Sequence, residues 1–342
     1  MVDLAAAYTF AWRNAPRLPE QLLRAGFTVA ADVAWLRRGG GVRQLEANYA
    51  RVRPELDRRG LRRLSRRGMR SYMRYFREAF TLQGATPDQV RARVRLVGLD
   101  AVRDILEGNA AGSLALGHLG NWDLAGAWAT PNLAPVLTVA EKLKPEALYD
   151  EFVGFRRSIG IEVIGLGDAD VFRRLVRGAR AGKRIVPLLA DRDLAATGVE
   201  VDLLGHRARV AAGPAALALA ANVDLIPTMI TYERLDRARR KVAGTPWGIV
   251  IEFSGPIPVP DVDPTLRGPD RRRAQTAIMT QGWVDAMART LRESTEDWHM
   301  LQKVFIEDLD PERYAKTQAE AGELPPEDVP LPAPDVAGAP ES

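Results

Sequence analysis

The chain has 342 residues, 46% of them hydrophobic, and 48 Lys and Arg against 44 Asp and Glu give a net charge of +4. This excludes disorder as the default and supplies apolar surface for a sizeable core. The absence of cysteine excludes disulfides, thiolate metal sites and thiol nucleophiles, and three histidines, His118, His206 and His299, argue against a histidine-rich metal centre.

No apolar stretch approaches the roughly 20 residues that span a bilayer, and the N-terminus lacks the ordered regions of a signal peptide. The expectation is a protein neither exported nor membrane-spanning, with peripheral attachment left open. From Leu4 to Trp35, apolar and basic residues alternate around Pro16 and Pro19, predicting two short helices with apolar faces. Between Arg58 and Phe80, Leu61, Leu64, Tyr72, Tyr75, Phe76 and Phe80 recur at helical spacing beside Arg63, Arg67, Arg70, Arg74 and Arg77. Such a basic stripe suits an anionic partner, a membrane surface or a phosphate before nucleic acid; a solvated helix face is the plainer alternative.

Ser113 to Leu116 reads as a buried strand, Gly117 and Gly120 permit a tight turn, and Asn121 is a good N-cap for a helix starting near Trp122. His118 then lies at a strand end and Asp123 in a helical first turn, where the helix dipole favours its ionised form. Asp123 is thereby a candidate to hold one imidazole nitrogen while the other takes a proton. The plainer reading makes His118 a satisfied core-edge residue and Asp123 a helix-start charge.

Beyond this turn, strands at Leu133 to Ala140, Ile161 to Leu166 and Arg184 to Ala190 alternate with helices at Pro145 to Ser158 and Val171 to Ala181. Asp191, Arg192 and Asp193 follow the third strand. Val199 to Gly205 alternates like a half-exposed strand or lip carrying Glu200, Ala211 to Asn222 reads as a helix, and Asp224 to Tyr232 and Trp247 to Phe253 as strands. Arg271 to Ser294 is a long amphipathic helix. The alternation predicts an α/β fold. One domain over residues 1–315 and a disordered tail over 316–342, rich in Pro, Ala, Glu and Asp, complete the expectation.

The segments Gly117-His118-Leu119-Gly120-Asn121-Trp122-Asp123, Asp191-Arg192-Asp193, Gly198 to Gly205, Gly213-Pro214 and Asp297-Trp298-His299 resemble, in order, those of the lipid A biosynthesis acyltransferase superfamily, most closely its actinobacterial phosphatidylinositol mannoside branch. The resemblance covers roughly residues 5–310. It implies a mixed, mostly parallel central sheet flanked by helices, as in glycerolipid acyltransferases, with a helical N-terminal segment facing a membrane. It also implies transfer of a fatty acyl group, palmitoyl in that branch, from acyl-coenzyme A to a mannose hydroxyl at the cytoplasmic face of the plasma membrane, by a peripheral and monomeric protein. No metal or redox cofactor is implied, and coenzyme A enters as part of the donor substrate.

On this reading His118 is the general base, because a sugar hydroxyl needs its proton removed as the thioester is attacked. Asp123 and Asp191 compete to orient it, and the resemblance leads one to expect glutamate at position 191, where aspartate reaches one methylene less. Glu141 and Arg156 correspond by segment to polar residues near the active site: Arg156 for a phosphate, Glu141 for sugar hydroxyls or for fixing Arg156. Arg192 and Asp193 join them as substrate-binding candidates, with a loop salt bridge as the alternative, and Glu200 is a further candidate acid. Thr197 and Ser113 lack a nucleophile-elbow context, so direct transfer is expected over an acyl-enzyme. His206 and His299 are expected to be structural. The competing readings are an acyltransferase acting on another glycolipid or a lysophospholipid, and a binding protein for anionic surfaces with no chemistry.

Overall fold

The computed structural model describes residues 15–142, 146–193, 198–312 and 314–315. Three helices lead: α1 (Glu20–Arg37), α2 (Gly40–Val52) and α3 (Arg58–Leu82). α3 starts where the Asp57 carboxylate accepts the Gly60 amide at 2.6 Å, and its predicted apolar face buries Leu64, Tyr72, Tyr75, Phe76 and Phe80. There follow α4 (Pro87–Arg93), β1 (Val94–Val97), α5 (Arg103–Leu106), β2 (Ala111–Leu116), α6 (Trp122–Asn132), β3 (Val136–Ala140), α7 (Glu146–Ser158), β4 (Ile161–Gly165), α8 (Val171–Arg180) and β5 (Arg184–Leu189). A hairpin, β6 (Val199–Leu203) and β7 (His206–Val210), precedes α9 (Gly213–Ala221), β8 (Asp224–Arg234), α10 (Arg237–Ala243), β9 (Trp247–Phe253) and α11 (Gly268–Glu293).

Among the described residues, seven strands form one sheet in the order β1-β9-β8-β2-β5-β3-β4. The run from β8 to β4 is parallel, whereas β9 is antiparallel to β8 and parallel to β1. The fold is therefore α/β with a mixed, mostly parallel sheet. One face packs α8 and α9 through Leu175, Val186, Leu188 and Leu217. The larger core joins α3, α6 and α11 through Tyr75, Leu124 and Met287.

The strand β7, the short β1 and the arginine-rich α10 were not anticipated. His206 to Val210 alternates charge with apolar residues only briefly, β1 is four residues long, and α10 lacks an apolar stripe. The tail from Lys316 and the first of the two N-terminal helices, which opens near Leu4, lie outside the described residues.

Several arginines of the α3 stripe have partners within the chain. Arg70 binds Asp32 of α1 at 2.7 Å, Arg67 meets Glu296 at 3.3 Å, Arg74 stacks 3.6 Å from the Trp247 ring centre, and buried Arg77 lies between Glu20 and Glu78. Arg74 and Arg77 are covered by α1 and the sheet edge, whereas Arg63 and Arg67 stay exposed. The outward face of α1 carries Leu22, Val29, Val33 and Leu36, with Leu22 64% and Leu36 66% exposed. No helix among the described residues is long and apolar enough to cross a membrane.

Candidate active site

Parallel pairing of β2 with β5 sets Leu116 opposite Leu189, and the Ala190 amide donates to the Leu116 carbonyl at 2.8 Å just past the strand end. Continuing that register by two residues brings His118 level with Asp191. Asp191 Oδ1 lies 2.6 Å from His118 Nδ1, and its Oδ2 accepts the His118 backbone N–H at 2.9 Å and the Trp298 indole N–H at 2.8 Å. Aspartate is long enough because Gly117 lets the carboxylate come close: a Cβ there would fall 3.3 Å from Asp191 Oδ2 and 2.7 Å from a Leu119 methyl.

Burial opposes ionisation of Asp191, yet the adjacent His118 and the donors on both oxygens hold its carboxyl below the usual range. An ionised carboxylate can only accept, so Nδ1 carries a proton and, in the neutral imidazole, Nε2 presents the lone pair. That Nε2 is buried and has no hydrogen-bond partner among the described residues.

Asp123 takes a different place. It lies in the first turn of α6, whose cap is Asn121 accepting the Leu124 amide at 2.9 Å. Its Oδ2 receives the Tyr75 hydroxyl at 2.8 Å and its Oδ1 the Arg156 Nε at 2.9 Å. The expectation that Asp123 holds the imidazole is thereby corrected: the helical turn aims it at α3 and α7. Arg156 is fixed by Asp123 and Tyr75, the part suggested for Glu141.

The segment after α11 pins the His118 loop from below. The His299 amide donates to the His118 carbonyl at 2.7 Å, and the Gly120 amide to the Asp297 carbonyl at 3.0 Å. Gly120 has φ +60, and a Cβ there would fall 2.5 Å from the Ile230 carbonyl oxygen, so only glycine fits. The Asp297 carboxyl accepts from the Ser71 hydroxyl and the Tyr232 amide, both at 2.7 Å, while burial pushes it up to about 6. Burial and the Arg74 charge push His299 down to about 3, leaving it neutral against Ser71 at 3.1 Å.

The remaining predicted residues divide. Half-buried Glu141 follows β3, with its carboxyl raised by burial and opposed by the Arg192 charge. Arg192 donates to the Gln302 side chain at 2.5 Å and the Lys303 carbonyl at 3.2 Å. Buried Asp193 donates its amide to the Arg209 carbonyl at 3.0 Å. Glu200 is held on the hairpin by Arg207 and Tyr314, so as an alternative acid for His118 it is corrected: Asp191 occupies Nδ1.

A mostly apolar cavity lies between the sheet and α6. Leu116, Leu189, Ile230, Trp128 and Phe253 are in its wall, and Trp122, Asp123 and Arg156 bring the polar edge. Among the described residues no three His, Cys, Asp or Glu side chains gather as a metal site.

The sequence model described as bacterial lipid A biosynthesis acyltransferase matches residues 3–306. The chain belongs to that family. It is 35% identical over 313 residues to the phosphatidylinositol mannoside acyltransferase of Mycolicibacterium smegmatis, covering 90% of this chain and 93% of the relative. It is also 35% identical over 317 residues to the protein of that name from Mycobacterium tuberculosis (strain CDC 1551 / Oshkosh), covering 92% of each.

In this acyltransferase, sequence reasoning missed Tyr75 and Trp298 as members of the site. Tyr75 reads as one more aromatic on a core stripe, and nothing in its spacing announces a carboxylate partner. Trp298 had a signal, since it sits between Asp297 and His299 in a segment already singled out, but its hydrogen bond to Asp191 spans 107 positions.

Proposed function

We propose that this acyltransferase moves a long fatty acyl group, palmitoyl foremost, from acyl-coenzyme A to a mannose hydroxyl of a phosphatidylinositol mannoside, with His118 as general base. The observation that carries the reading is the His118–Asp191 pair, which fixes a proton on Nδ1 and leaves Nε2 without a partner among the described residues, on the loop that joins Leu116 and Trp122, two residues of the cavity wall. The names of the relatives at 35% identity support the acceptor. The cavity suits the acyl chain, whose burial there removes apolar surface from water.

The hydroxyl oxygen attacks the thioester carbonyl carbon as Nε2 takes its proton; the tetrahedral intermediate then expels the thiolate, which takes that proton back from the imidazolium. Asp191 stabilises the transient imidazolium. Transfer is direct. Ser113 donates its hydroxyl to the Pro214 carbonyl at 2.9 Å, and no Ser or Thr hydroxyl is bonded to His118 among the described residues. Thr197 lies outside them. Arg192 and Glu141, whose charges interact, and Asp193 are assigned to donor and acceptor polar groups, and Arg156 to the polar edge of the cavity.

Purified wild type and His118→Ala are incubated with palmitoyl-coenzyme A, with and without a phosphatidylinositol mannoside, following coenzyme A release and lipid product by mass spectrometry. Acceptor-dependent release that falls by about 10²- to 10⁴-fold in the variant is expected; equal rates remove His118 from the mechanism. The exposed apolar face of α1 supports a peripheral position on the cytoplasmic membrane surface. Leu22→Ser with Leu36→Ser is expected to weaken cosedimentation with anionic vesicles, and undiminished binding by the double variant contradicts that position.

A further inference from the structure

His118 Nε2 and the indole Nε1 of Trp122, a residue of the cavity wall, are buried and have no partner among the described residues. The Trp122 ring stands edge-on to the imidazole with ring centres 5.7 Å apart, rests on the Tyr75 ring at 4.2 Å, and forms part of the cavity wall. An indole N–H can only donate, and a buried donor is costly to leave unmet. Trp283, whose buried indole N–H is likewise unpartnered, is enclosed in the core and takes no part in the cavity wall.

Direct attack on a thioester turns its carbonyl oxygen into an oxyanion, which needs a donor already in place. Several donors around the His118 loop are already engaged. The His118 amide goes to Asp191, the Leu119 amide to the Gly117 carbonyl at 2.7 Å, the Gly120 amide to Asp297, and the Leu124 amide to the Asn121 cap. The Tyr75 hydroxyl is bound to Asp123 and the Trp298 indole to Asp191. The indole N–H of Trp122, four residues from the base and on the cavity wall, is buried and uncommitted among the described residues.

Resting on the acyl-transfer reading above, we propose that the Trp122 indole N–H donates to the carbonyl oxygen of the bound thioester and stabilises the oxyanion formed there. As the acceptor oxygen bonds to the carbonyl carbon, its proton passes to His118 Nε2 and the carbonyl π pair moves onto the oxygen facing Trp122. Collapse returns that pair, breaks the carbon–sulfur bond, and hands the proton from His118 to the departing thiolate. The hydrogen bond strengthens as charge develops, so Trp122 acts on turnover more than on substrate binding.

The test compares wild type with Trp122→Phe, and with position 122 occupied by 3-benzothienylalanine, which keeps the bicyclic shape and removes only the N–H. Steady-state kinetics with palmitoyl-coenzyme A and a phosphatidylinositol mannoside are read beside the thermal midpoint. The expected result is a kcat lower by about 10²- to 10³-fold in both replacements, with KM for each substrate within about threefold. The benzothienyl protein, matched in shape, is expected to keep the wild-type midpoint. If it keeps more than a third of wild-type kcat, the assignment is overturned and the role passes to Arg156, the remaining cationic donor of the wall. If wild type shows no acceptor-dependent release, the acyl-transfer reading fails and this assignment falls with it.

Discussion

Asp191 and Asp123 are both buried carboxylates just beyond the carboxyl ends of parallel strands, yet they serve opposite kinds of partner. Asp191 gives one oxygen to the imidazole and the other to two N–H donors, while Asp123 joins a tyrosine hydroxyl to a guanidinium. The difference lies in the local backbone. Asp191 continues a strand beside β2 and inherits its register, whereas Asp123 sits on a helix that has turned away from it. In this chain a histidine and an aspartate five residues apart therefore go to different partners and do not pair.

The clamp can be broken from its acidic side. Asp123→Ala leaves Arg156, whose side chain is only 12% exposed, without its carboxylate. A loss of about 3–5 kcal/mol is expected, because an uncompensated buried charge remains. Denaturant unfolding checks this, and Asp123→Asn, which keeps an acceptor for Tyr75, is expected to lose less. Equal stability of wild type and Asp123→Ala refutes the clamp.

A smaller effect, which sharpens the comparison, lies in the segment beneath His118. His299 is held neutral with its pKa near 3, against 6.5 for an ordinary histidine, so its contribution to stability is complete above pH 6.5 and drains away as pH falls toward 3. Asp297, raised from 3.8 to about 6, works in the other sense: its contribution is complete below pH 4 and lost as pH rises through 6. Each pH unit inside these windows is worth about 1.4 kcal/mol per group. His299→Gln removes the first slope and keeps the second, so on going from pH 7 to pH 5 the thermal midpoint of the variant is expected to rise relative to wild type. Parallel curves contradict the buried neutral histidine.

Much of the fold was legible because helices and parallel strands alternate with clear apolar patterns. β2, β5, β8, β9 and α6 stand within a few residues of their predicted bounds. The site was legible in its parts, since His118, Asp123, Asp191 and Arg156 were all singled out. Their partners were not, because pairing depends on strand register and helix direction. The same limit explains the arginine stripe of α3: spacing shows that Arg67, Arg70, Arg74 and Arg77 share a face, but not that Glu296, Asp32, Trp247 and Glu20 are packed against it.

The central claim is that Asp191, and not Asp123, orients the base. Steady-state kinetics of acceptor-dependent coenzyme A release for Asp191→Asn and Asp123→Asn, side by side, test it most directly. An amide at 191 can donate to Nδ1 and place the ring proton on Nε2, so kcat is expected to fall by about 10³- to 10⁴-fold with KM little changed. Asp123→Asn is expected to lose far less in kcat. A larger kcat loss in Asp123→Asn than in Asp191→Asn would contradict the account.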